Sequence, residues 1–457
     1  MSSMDRHFFN LSLTLFFITI SFTFCSLVRC YQISKEISPQ KIIVWHAMDY
    51  ALGHAFETLV QDYNQKPEVR DAGIQVVAEF KGTYDQTLDA GLAVACTAQA
   101  PHILQVYEMG TLKVIKLQQK KSVIVPLKEV MSNTHFDENV FLPRIVQFYR
   151  AHGQFLNSVP FNTSTVILYY NKTALQKAGI NEASLLDRLT WEDFINIADR
   201  LKKQGAQNIL AHGWLTGHGI DQTAACHNES IATNGNGVDG DAVMELSKSD
   251  FFEHHITFLK ELYEKEMFTL KVGAEAEKAF ADQEVMFLTN GANRLPLIEQ
   301  QVKNKFEIGV ATFPYWKKWV DASHNKLVCG ASLWVMAGHA THELGAIADF
   351  LKYVVSVPVQ KKWHMMTGYV PVVHGVREIC EQEGFYEASL QGKASLIALE
   401  SLMAKEQKEY TRGILLPNFP EIRKIQIEEM TKAIKNEKSV KDALKTIDEK
   451  ANELLKS

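Results

Sequence analysis

Strand-like and helix-like segments alternate along the chain from residue 41 onward, and this alternation restricts the possible folds more than any other feature. Short apolar runs predict buried strands at Lys41–Ala47, Ile74–Phe80 and His102–Tyr107. Amphipathic helices are predicted between them, at Gly53–Gln65 and Tyr84–Cys96. Such alternation predicts an α/β fold in which parallel sheets carry helices on both faces.

The later part of the chain continues this pattern. Strands are predicted at Ser164–Asn171 and Cys329–Met336. A helix is predicted at "TWEDFINIADRLKKQG", where Thr190 and Asp193 have the spacing of a capping box. Further helices are predicted at Asp250–Lys265, from His342 and in the charged tail from Glu437. At 457 residues, the chain is long enough for two domains.

The N-terminus has the pattern of a secretory signal. Arg6 and His7 precede an uncharged apolar run, Phe8–Val28, and we predict a signal peptide at residues 1–30. The run is also long enough to cross a bilayer, so a retained signal anchor remains an alternative. No second run of membrane length follows Tyr31. We therefore expect the remainder to be exported as a soluble protein.

Charge and cysteine content argue against several classes of protein. The net charge is −5 and no basic run is interleaved with aromatic residues, so we expect no nucleic-acid partner. Two of the six cysteines lie in the leader. The other four are far apart and form no C-x-x-C pair, which argues against a disulfide framework or a zinc site: Cys96, Cys226, Cys329 and Cys380.

A search for catalytic and cofactor motifs finds no convincing constellation. Gly235, Gly237 and Gly240 match G-x-G-x-x-G, but "HNESIATN" precedes them where a dinucleotide site needs a hydrophobic strand, so we predict a polar surface loop. The adjacent His254 and His255 would point about 100° apart on a helix. His212 and His218 lack a cysteine or carboxylate at ligand spacing. We therefore predict no catalytic residue, no metal and no cofactor.

Arg423 occupies an unusual place near the predicted start of a helix. Pro420 suits the first turn of that helix, and Asn418 is a plausible cap. The helix dipole disfavours a basic side chain at this end. Two explanations remain open: either the nearby Glu421, Glu428 and Glu429 neutralise Arg423, or an external anion binds beside it.

Polar and aromatic residues also collect at the predicted ends of strands, where open α/β sheets bind ligands. Each of them alone is explained as well by packing or by helix capping. The residues are Tyr84, Glu108, Ser164, Trp214, Gly330 and Tyr369.

Five segments together resemble a known family. They are "APHILQVYEMGT", "PFNTSTVILYYNKTALQKAGI", "CGASLWVMAG", "WHMMTGYVPV" and "LPNFPEIR". In this order they are similar to the sn-glycerol-3-phosphate-binding proteins of bacterial ABC importers, and the similarity runs from Val44 to Leu454. The resemblance implies a periplasmic protein that delivers its ligand to inner-membrane permease subunits and their ATPase.

The resemblance also implies a fold, the two-lobed periplasmic binding protein type II fold with the ligand cleft between the lobes. We predict lobe 1 at residues 31–163 plus 331–372 and lobe 2 at residues 164–330 plus 373–457. Three crossings between the lobes are implied near Pro160–Thr165, Val328–Ala331 and Gly368–Val373.

The resemblance further implies a set of ligand-binding residues. Glu108 would accept hydrogen bonds from glycerol hydroxyl groups, and Trp214 would support the carbon skeleton. Phosphate oxygens would be held by Tyr84, Ser164, Tyr369, Arg423 and the backbone N–H of Gly330. A guanidinium suits phosphate because it makes two parallel charge-assisted hydrogen bonds.

Three positions depart from the family pattern. Gly217 stands where the family has a second tryptophan, and Asn290 stands in place of a serine that contacts phosphate. Cys329 replaces a glycine before Gly330. Because Gly217 should enlarge the glycerol end of the cleft, we hypothesise that glycerophosphodiesters such as glycerophosphocholine bind at least as well as sn-glycerol 3-phosphate.

Two other functions remain open from the sequence. One is an exported phosphodiesterase or phosphatase acting on the same compounds, although neither a metal cluster nor a nucleophile with an adjacent base was found. The other is a solute-binding protein that has been re-tuned to a sugar.

Overall fold

The computed structural model describes residues 40–132, 134, 136–150, 156–182 and 189–456. The predicted signal peptide, its cleavage region and the two leader cysteines lie outside the described residues. Among the residues that are described, no helix has both the length and the hydrophobicity needed to cross a membrane.

The described residues divide into a small unit, within 40–41 and 64–75, and a large unit, within 42–63 and 76–456. In the small unit, a five-residue helix, Pro67–Asp71, begins with a proline whose missing N–H costs nothing at that position. The N–H of Gln40 donates to the carbonyl of Gly73 at 2.7 Å. All residues of the candidate site belong to the large unit.

The described residues form two five-stranded sheets. The first has the strand order β2-β1-β3-β10-β4 and the second the order β7-β6-β8-β5-β9. The strands are β1 (Gln40–His46), β2 (Ile74–Phe80), β3 (Ile103–Tyr107), β4 (Val159–Ser164), β5 (Val166–Asn171), β6 (Asn208–His212), β7 (Phe268–Thr269), β8 (Val285–Gly291), β9 (Ile308–Ala311) and β10 (Cys329–Val335).

The sheets are mixed, so the prediction of parallel sheets holds for only part of each sheet. β10 runs antiparallel to β3 and β4, and β5 runs antiparallel to β8 and β9. β1 is parallel to β3, and β6 is parallel to both β7 and β8. Two strands that follow each other in one sheet need a crossover connection to run parallel. β5 and β10 instead each follow a strand of the other sheet, and each runs antiparallel to its neighbours. The predicted α/β class is confirmed.

Helices separate most of these strands. They are α1 (Tyr50–Asn64), α2 (Pro67–Asp71), α3 (Tyr84–Ala93), α4 (Thr111–Lys120), α5 (Leu127–Val130), α6 (Pro143–Tyr149), α7 (Lys172–Lys177), α8 (Trp191–Lys203), α9 (Thr223–His227), α10 (Thr233–Asn236), α11 (Asp250–Glu264), α12 (Gly273–Ala281), α13 (Leu295–Val302), α14 (Leu344–Val354), α15 (Val357–Thr367), α16 (Val376–Gln382), α17 (Phe385–Ala388), α18 (Leu390–Met403), α19 (Phe419–Ile434) and α20 (Val440–Leu455).

Helix α8 illustrates how the sequence builds these layers. Its buried residues, Trp191, Phe194, Ile197, Ala198 and Leu201, recur three or four positions apart and therefore share one face. This face packs toward β6. Burying each large apolar side chain contributes about 1.5–3 kcal/mol.

Two local predictions need correction. The run Ser164–Asn171 is not one strand, because β4 ends at Ser164 and β5 begins at Val166, in the other sheet. The capping box at α8 is only half formed. The Thr190 hydroxyl accepts from the Asp193 N–H at 3.0 Å, but the Asp193 carboxylate accepts from the Thr190 hydroxyl and not from its backbone N–H.

The G-x-G-x-x-G segment follows no strand, as predicted, since β6 ends at His212. Its glycines have positive φ, from 59° at Gly235 to 138° at Gly240, and they form tight turns. Gly235 and Gly237 are buried, so the predicted surface loop holds only for the second half of the segment.

The chain passes between the sheets at two of the three places where crossings were predicted. Thr165 separates β4 of the first sheet from β5 of the second, and the chain returns between β9 and β10. At the third place, the Val370 N–H donates to the Thr163 carbonyl at 2.7 Å. The number of hinges and the lobe bounds, 31–163 plus 331–372 and 164–330 plus 373–457, stay predictions.

Candidate functional site

A cavity of about 560 Å³ lies where strands of both sheets end. This volume is in the range of small-molecule sites. All eight residues predicted from the sequence line it: Tyr84, Glu108, Ser164, Trp214, Asn290, Gly330, Tyr369 and Arg423. The structure thus brings together residues that are up to 339 positions apart in sequence. That these residues contact a ligand remains a prediction.

Arg423 pairs with Asp221, which the sequence did not point to. Arg423 Nη2 donates to Asp221 Oδ2, and the two side chains are only 13% and 3% exposed. The alternative in which glutamates of its own helix neutralise Arg423 is wrong for Glu428 and Glu429, because both of them pair with Lys432. The neutralising carboxylate therefore comes from a distant segment.

The start of α19 differs from the prediction in one respect. Asn418 does occupy the position before the helix, with φ of 54°, but its side chain makes no capping hydrogen bond. Its amide instead donates to the Leu454 carbonyl at 2.8 Å. The first-turn N–H groups of α19 are therefore left without an Asn418 cap.

Aromatic rings and Gly217 surround the Arg423 guanidinium. Its central carbon lies 5.9 Å from the Trp214 ring centroid and 5.2 Å from that of Phe419, within the range of cation–π attraction. A Cβ added at Gly217 would come within 2.8 Å of Arg423 Nη1. In this structure, the space that Gly217 leaves is therefore occupied by the guanidinium and does not enlarge the free cleft as predicted.

Two predicted ligand groups bond to each other. The Gly330 N–H donates to Glu108 Oε2 at 3.0 Å. Gly330 has φ of +128°, and a Cβ there would lie 1.9 Å from the Asn162 carbonyl oxygen, so only glycine fits. Burial raises the pKa of Glu108, while the Gly330 N–H and Arg423 act in the opposite direction.

A cluster of tyrosines forms another wall of the cavity. The hydroxyl groups of Tyr84 and Tyr369 are hydrogen-bonded to each other, and Asn162 Nδ2 donates to Tyr84 at 3.2 Å. Burial raises the pKa of both phenols, so they are neutral donors at pH 7. Tyr84 stacks on Tyr107 with 5.3 Å between ring centroids. Thr83 and Gln86 form a capping box that fixes the start of α3 and therefore the position of Tyr84.

Asn290 is more restricted than predicted. Its Nδ2 donates to Glu277 at 2.9 Å, and its Oδ1 accepts from the Gly291 N–H at 2.9 Å. Only one N–H of the amide therefore remains for a ligand. Glu277 also accepts from Arg294, with Nε at 2.7 Å and Nη2 at 3.1 Å.

Arg294 is a second cleft residue that sequence reasoning missed. Besides Glu277, its Nη1 lies 3.6 Å from Asp49 Oδ1, in the loop after β1. Asp49 follows β1 of the first sheet, and Arg294 follows β8 of the second sheet. The ion pair therefore connects segments that come from different sheets. Next to it, the Ser164 hydroxyl donates to Asn293 Oδ1 at 3.0 Å.

The described cleft carries more acidic than basic groups. Two guanidiniums, of Arg294 and Arg423, face five carboxylates: Asp49, Asp85, Glu108, Asp221 and Glu277. Burial lowers the pKa of His218 and raises that of the Cys329 thiol, so both are neutral at pH 7.

One group of described residues, His102, His339 and Glu343, has metal-ligand chemistry, but it does not line the cleft. His102 Nδ1 accepts from the Ile43 N–H at 3.0 Å, so the ring proton is on Nε2, which faces Glu343 Oε1 at 3.6 Å. A metal at Nε2 would require the other tautomer and the loss of the Ile43 hydrogen bond. These side chains therefore do not fit a metal ion as they stand.

The histidines singled out from the sequence have packing roles. His212 Nδ1 and His218 Nδ1 share the Thr289 hydroxyl at 2.7 and 2.9 Å. His255 Nδ1 accepts from Trp316 Nε1 at 3.0 Å.

Comparisons with known proteins agree with this architecture. Residues 58–388 match the family model described as bacterial extracellular solute-binding protein. The sn-glycerol-3-phosphate-binding periplasmic protein UgpB of Yersinia enterocolitica is 33% identical over 425 residues, 92% of this chain and 94% of the relative. UgpB of Escherichia coli O1:K1 is 34% identical over 417 residues, 90% of this chain and 92% of the relative.

Solved structures show the same fold at low sequence identity. UgpB from Mycobacterium tuberculosis in complex with glycerophosphocholine has a TM-score of 0.75 at 17% identity, covering 91% of this chain and 98% of that one. The GacH receptor of Streptomyces glaucescens has a TM-score of 0.71 at 16% identity, covering 92% and 99%. The predicted two-lobed periplasmic binding protein fold is therefore confirmed.

Proposed function

Because the chain belongs to the family of bacterial extracellular solute-binding proteins, we propose that it is a periplasmic receptor for sn-glycerol 3-phosphate, for glycerophosphodiesters, or for both. It delivers the captured compound to the permease subunits and ATPase of an ABC importer. Its relatives that are about one third identical over nine tenths of the chain are named for sn-glycerol-3-phosphate binding.

The observation that carries this proposal is the position of Arg423. It is the fifth residue of α19, in the second turn and not in the first turn as predicted, and it reaches the same cavity as the hydroxyl groups of Tyr84, Ser164 and Tyr369. A guanidinium with neutral hydroxyl donors around it suits a phosphate group. Arg294, the other guanidinium of the described cleft, is held by Glu277 and is less available.

Ligand binding exchanges hydrogen bonds that the protein makes within itself. The Gly330 N–H leaves Glu108 for a phosphate oxygen, and the Ser164 hydroxyl leaves Asn293. Glu108 is then free to accept from glycerol hydroxyl groups, because an ionised carboxylate is purely an acceptor. Trp214, which is 46% exposed, offers an apolar surface for the carbon skeleton.

Glycerophosphodiesters fit the same cleft. When the guanidinium turns from Gly217 toward a phosphate, the space beside this glycine opens. The family's second tryptophan is absent at that position, so a headgroup such as choline has room to extend from the phosphate. The hypothesis that diesters bind at least as well as the monoester therefore stays a proposal that depends on this rearrangement.

The observed contacts favour a receptor over an exported phosphodiesterase or phosphatase. Among the described cleft residues, the Ser164 hydroxyl bonds to an amide oxygen and the Cys329 sulfur accepts from Gln222, so neither is paired with a base. The family is one of solute-binding proteins, and we propose that the chain has no catalytic activity. Binding of a neutral sugar would leave Arg423 without an anionic partner from the ligand.

Calorimetric titration tests the proposal, with sn-glycerol 3-phosphate, glycerophosphocholine and maltose as ligands. We expect the two phosphate compounds to bind and maltose to fail. Incubation of the protein with each phosphate compound should release neither free phosphate nor choline. Binding of maltose alone would contradict the proposal, and release of choline or phosphate would favour an enzyme.

A further inference from the structure

The ion pair between Asp221 and Arg423 leaves one hydrogen-bonding atom of each side chain without a partner among the described residues. Asp221 Oδ1 is buried and accepts no hydrogen bond from any described residue, and Arg423 Nε is buried and donates none. The two side chains are therefore joined through Nη2 and Oδ2 alone, not by the two parallel hydrogen bonds that a guanidinium and a carboxylate can make.

We infer that Asp221 determines which phosphate charge the cleft accepts, because it competes with the ligand for Arg423 and favours a singly charged phosphodiester over a doubly charged phosphomonoester. This inference rests on the proposed function, since it assumes that Arg423 binds the ligand's phosphate. It adds a specificity role for a residue that the sequence did not single out.

The protein interior encloses the segment that carries the Asp221 carboxylate. Asp221 belongs to the segment Gly217–Gln222, in which every residue is buried. When a phosphate approaches Arg423, Asp221 therefore stays beside it. A phosphate that binds Arg423 therefore takes Nη2 from Asp221 or shares the guanidinium with it, and in both cases the Asp221 carboxylate remains close to the phosphate.

The charges around Arg423 penalise a second negative charge on the ligand. Glu108 lines the same cavity and interacts electrostatically with both Arg423 and Asp221, so a second carboxylate adds negative charge near the guanidinium. Arg294 cannot offset a further charge, since Glu277 and Asp49 hold it. A phosphomonoester carries nearly two negative charges at neutral pH, and a phosphodiester carries one.

The test measures affinity for two ligands at pH 8, where the monoester is a dianion. The quantity of interest is the dissociation constant of sn-glycerol 3-phosphate divided by that of glycerophosphocholine. In Asp221→Asn, which removes the charge and keeps the shape, we expect this ratio to fall about tenfold. The reason is that the Asp221 carboxylate of the wild type repels the doubly charged monoester more strongly than the singly charged diester. Asp221→Ser, which keeps an acceptor for Arg423, should behave in the same way.

Asp239→Asn is the matched control. Asp239 also pairs with an arginine, Arg412, but neither residue lines the cleft, so this variant should leave the ratio unchanged. An unchanged ratio in Asp221→Asn and Asp221→Ser would overturn the inference, and so would an equal fall in the control. Failure of the wild type to bind either ligand would instead overturn the proposed function and the inference with it.

A measurement on the wild-type protein makes the test independent of any variant. The methyl ester of sn-glycerol 3-phosphate lacks one charge and adds one methyl group. We expect it to bind about tenfold more tightly than sn-glycerol 3-phosphate at pH 8. Weaker binding of the methyl ester would overturn the inference even if no Asp221 variant folded.

Discussion

Replacement of Arg423 by alanine is the most direct perturbation of the proposed site. Truncating one partner of a buried charge pair usually weakens binding by about 2–5 kcal/mol. The structure favours the lower end, because wild-type Arg423 already bonds to Asp221 and exchanges that contact for the phosphate. With tenfold in affinity for each 1.4 kcal/mol, we expect glycerophosphocholine to bind about 30-fold more weakly.

The same substitution has a limited expected effect on stability. Removing Arg423 leaves the Asp221 carboxylate buried without its cation, which for a permanently charged group would cost about 3–5 kcal/mol. However, burial raises the pKa of Asp221 to about 6, even though Arg423 acts to lower it. Protonation at pH 7 therefore limits the electrostatic loss to about 1 kcal/mol, and the variant should still fold.

Calorimetric titration with glycerophosphocholine and sn-glycerol 3-phosphate, together with thermal unfolding, measures both effects. Lys424→Ala is the matched control, since Lys424 is the next residue of α19, is exposed and does not line the cleft. It should bind both ligands as the wild type does. If Arg423→Ala also bound them with wild-type affinity while remaining folded, the assignment of Arg423 to the phosphate would be refuted.

Two further predictions concern stability. In Gly330→Ala, the φ of +128° and the 1.9 Å approach to the Asn162 carbonyl should lower the free energy of unfolding by about 3 kcal/mol, measured by denaturant unfolding. Gly345→Ala, where a Cβ meets open space, should instead be neutral or slightly stabilising, and equal effects of the two changes would contradict the strain at Gly330. The second prediction concerns pH: because the pKa of Asp221 is raised from 3.8 to about 6, its contribution to stability is fully present below pH 4 and is lost as the pH rises through 6. The free energy of unfolding of Asp221→Asn minus that of the wild type should thus increase by about 2 kcal/mol between pH 4 and pH 7, and a pH-independent difference would contradict the raised pKa.

Local sequence patterns predicted most elements of the fold because strands and helices follow from residue spacing. Ile74–Phe80 has the predicted bounds, and α11 differs by one residue at its end. The direction of β10 could not be predicted in the same way. Its antiparallel pairing with β3 and β4 depends on the chain's return from the second sheet, which no local pattern encodes.

The eight cleft residues could be predicted because the resemblance to the family covers nearly the whole chain, and five of them lie within the segments that carry it: Glu108, Ser164, Gly330, Tyr369 and Arg423. Their mutual bonds could not be predicted in this way. Asp221 is 202 residues from Arg423, and Glu277 is a helical residue 17 positions before Arg294, with no motif around either carboxylate. Whether a buried arginine is free or paired depends on which distant acceptor the fold brings to it.

Ligand selectivity in this cleft is expected to depend on the protein's hydrogen-bond acceptors as well as on its donors. The donors expected to hold phosphate are bonded to protein acceptors in this structure: Arg423 to Asp221, Gly330 to Glu108 and Ser164 to Asn293. Affinity therefore reflects the difference between two sets of hydrogen bonds and not the strength of the ligand's set alone. Two of these three acceptors, Asp221 and Glu108, are carboxylates. We therefore expect the highest affinity for a ligand that takes over their hydrogen bonds without carrying more negative charge than they do. The acceptors, and Asp221 first among them, are thus expected to decide between phosphate esters that the donors alone would bind alike.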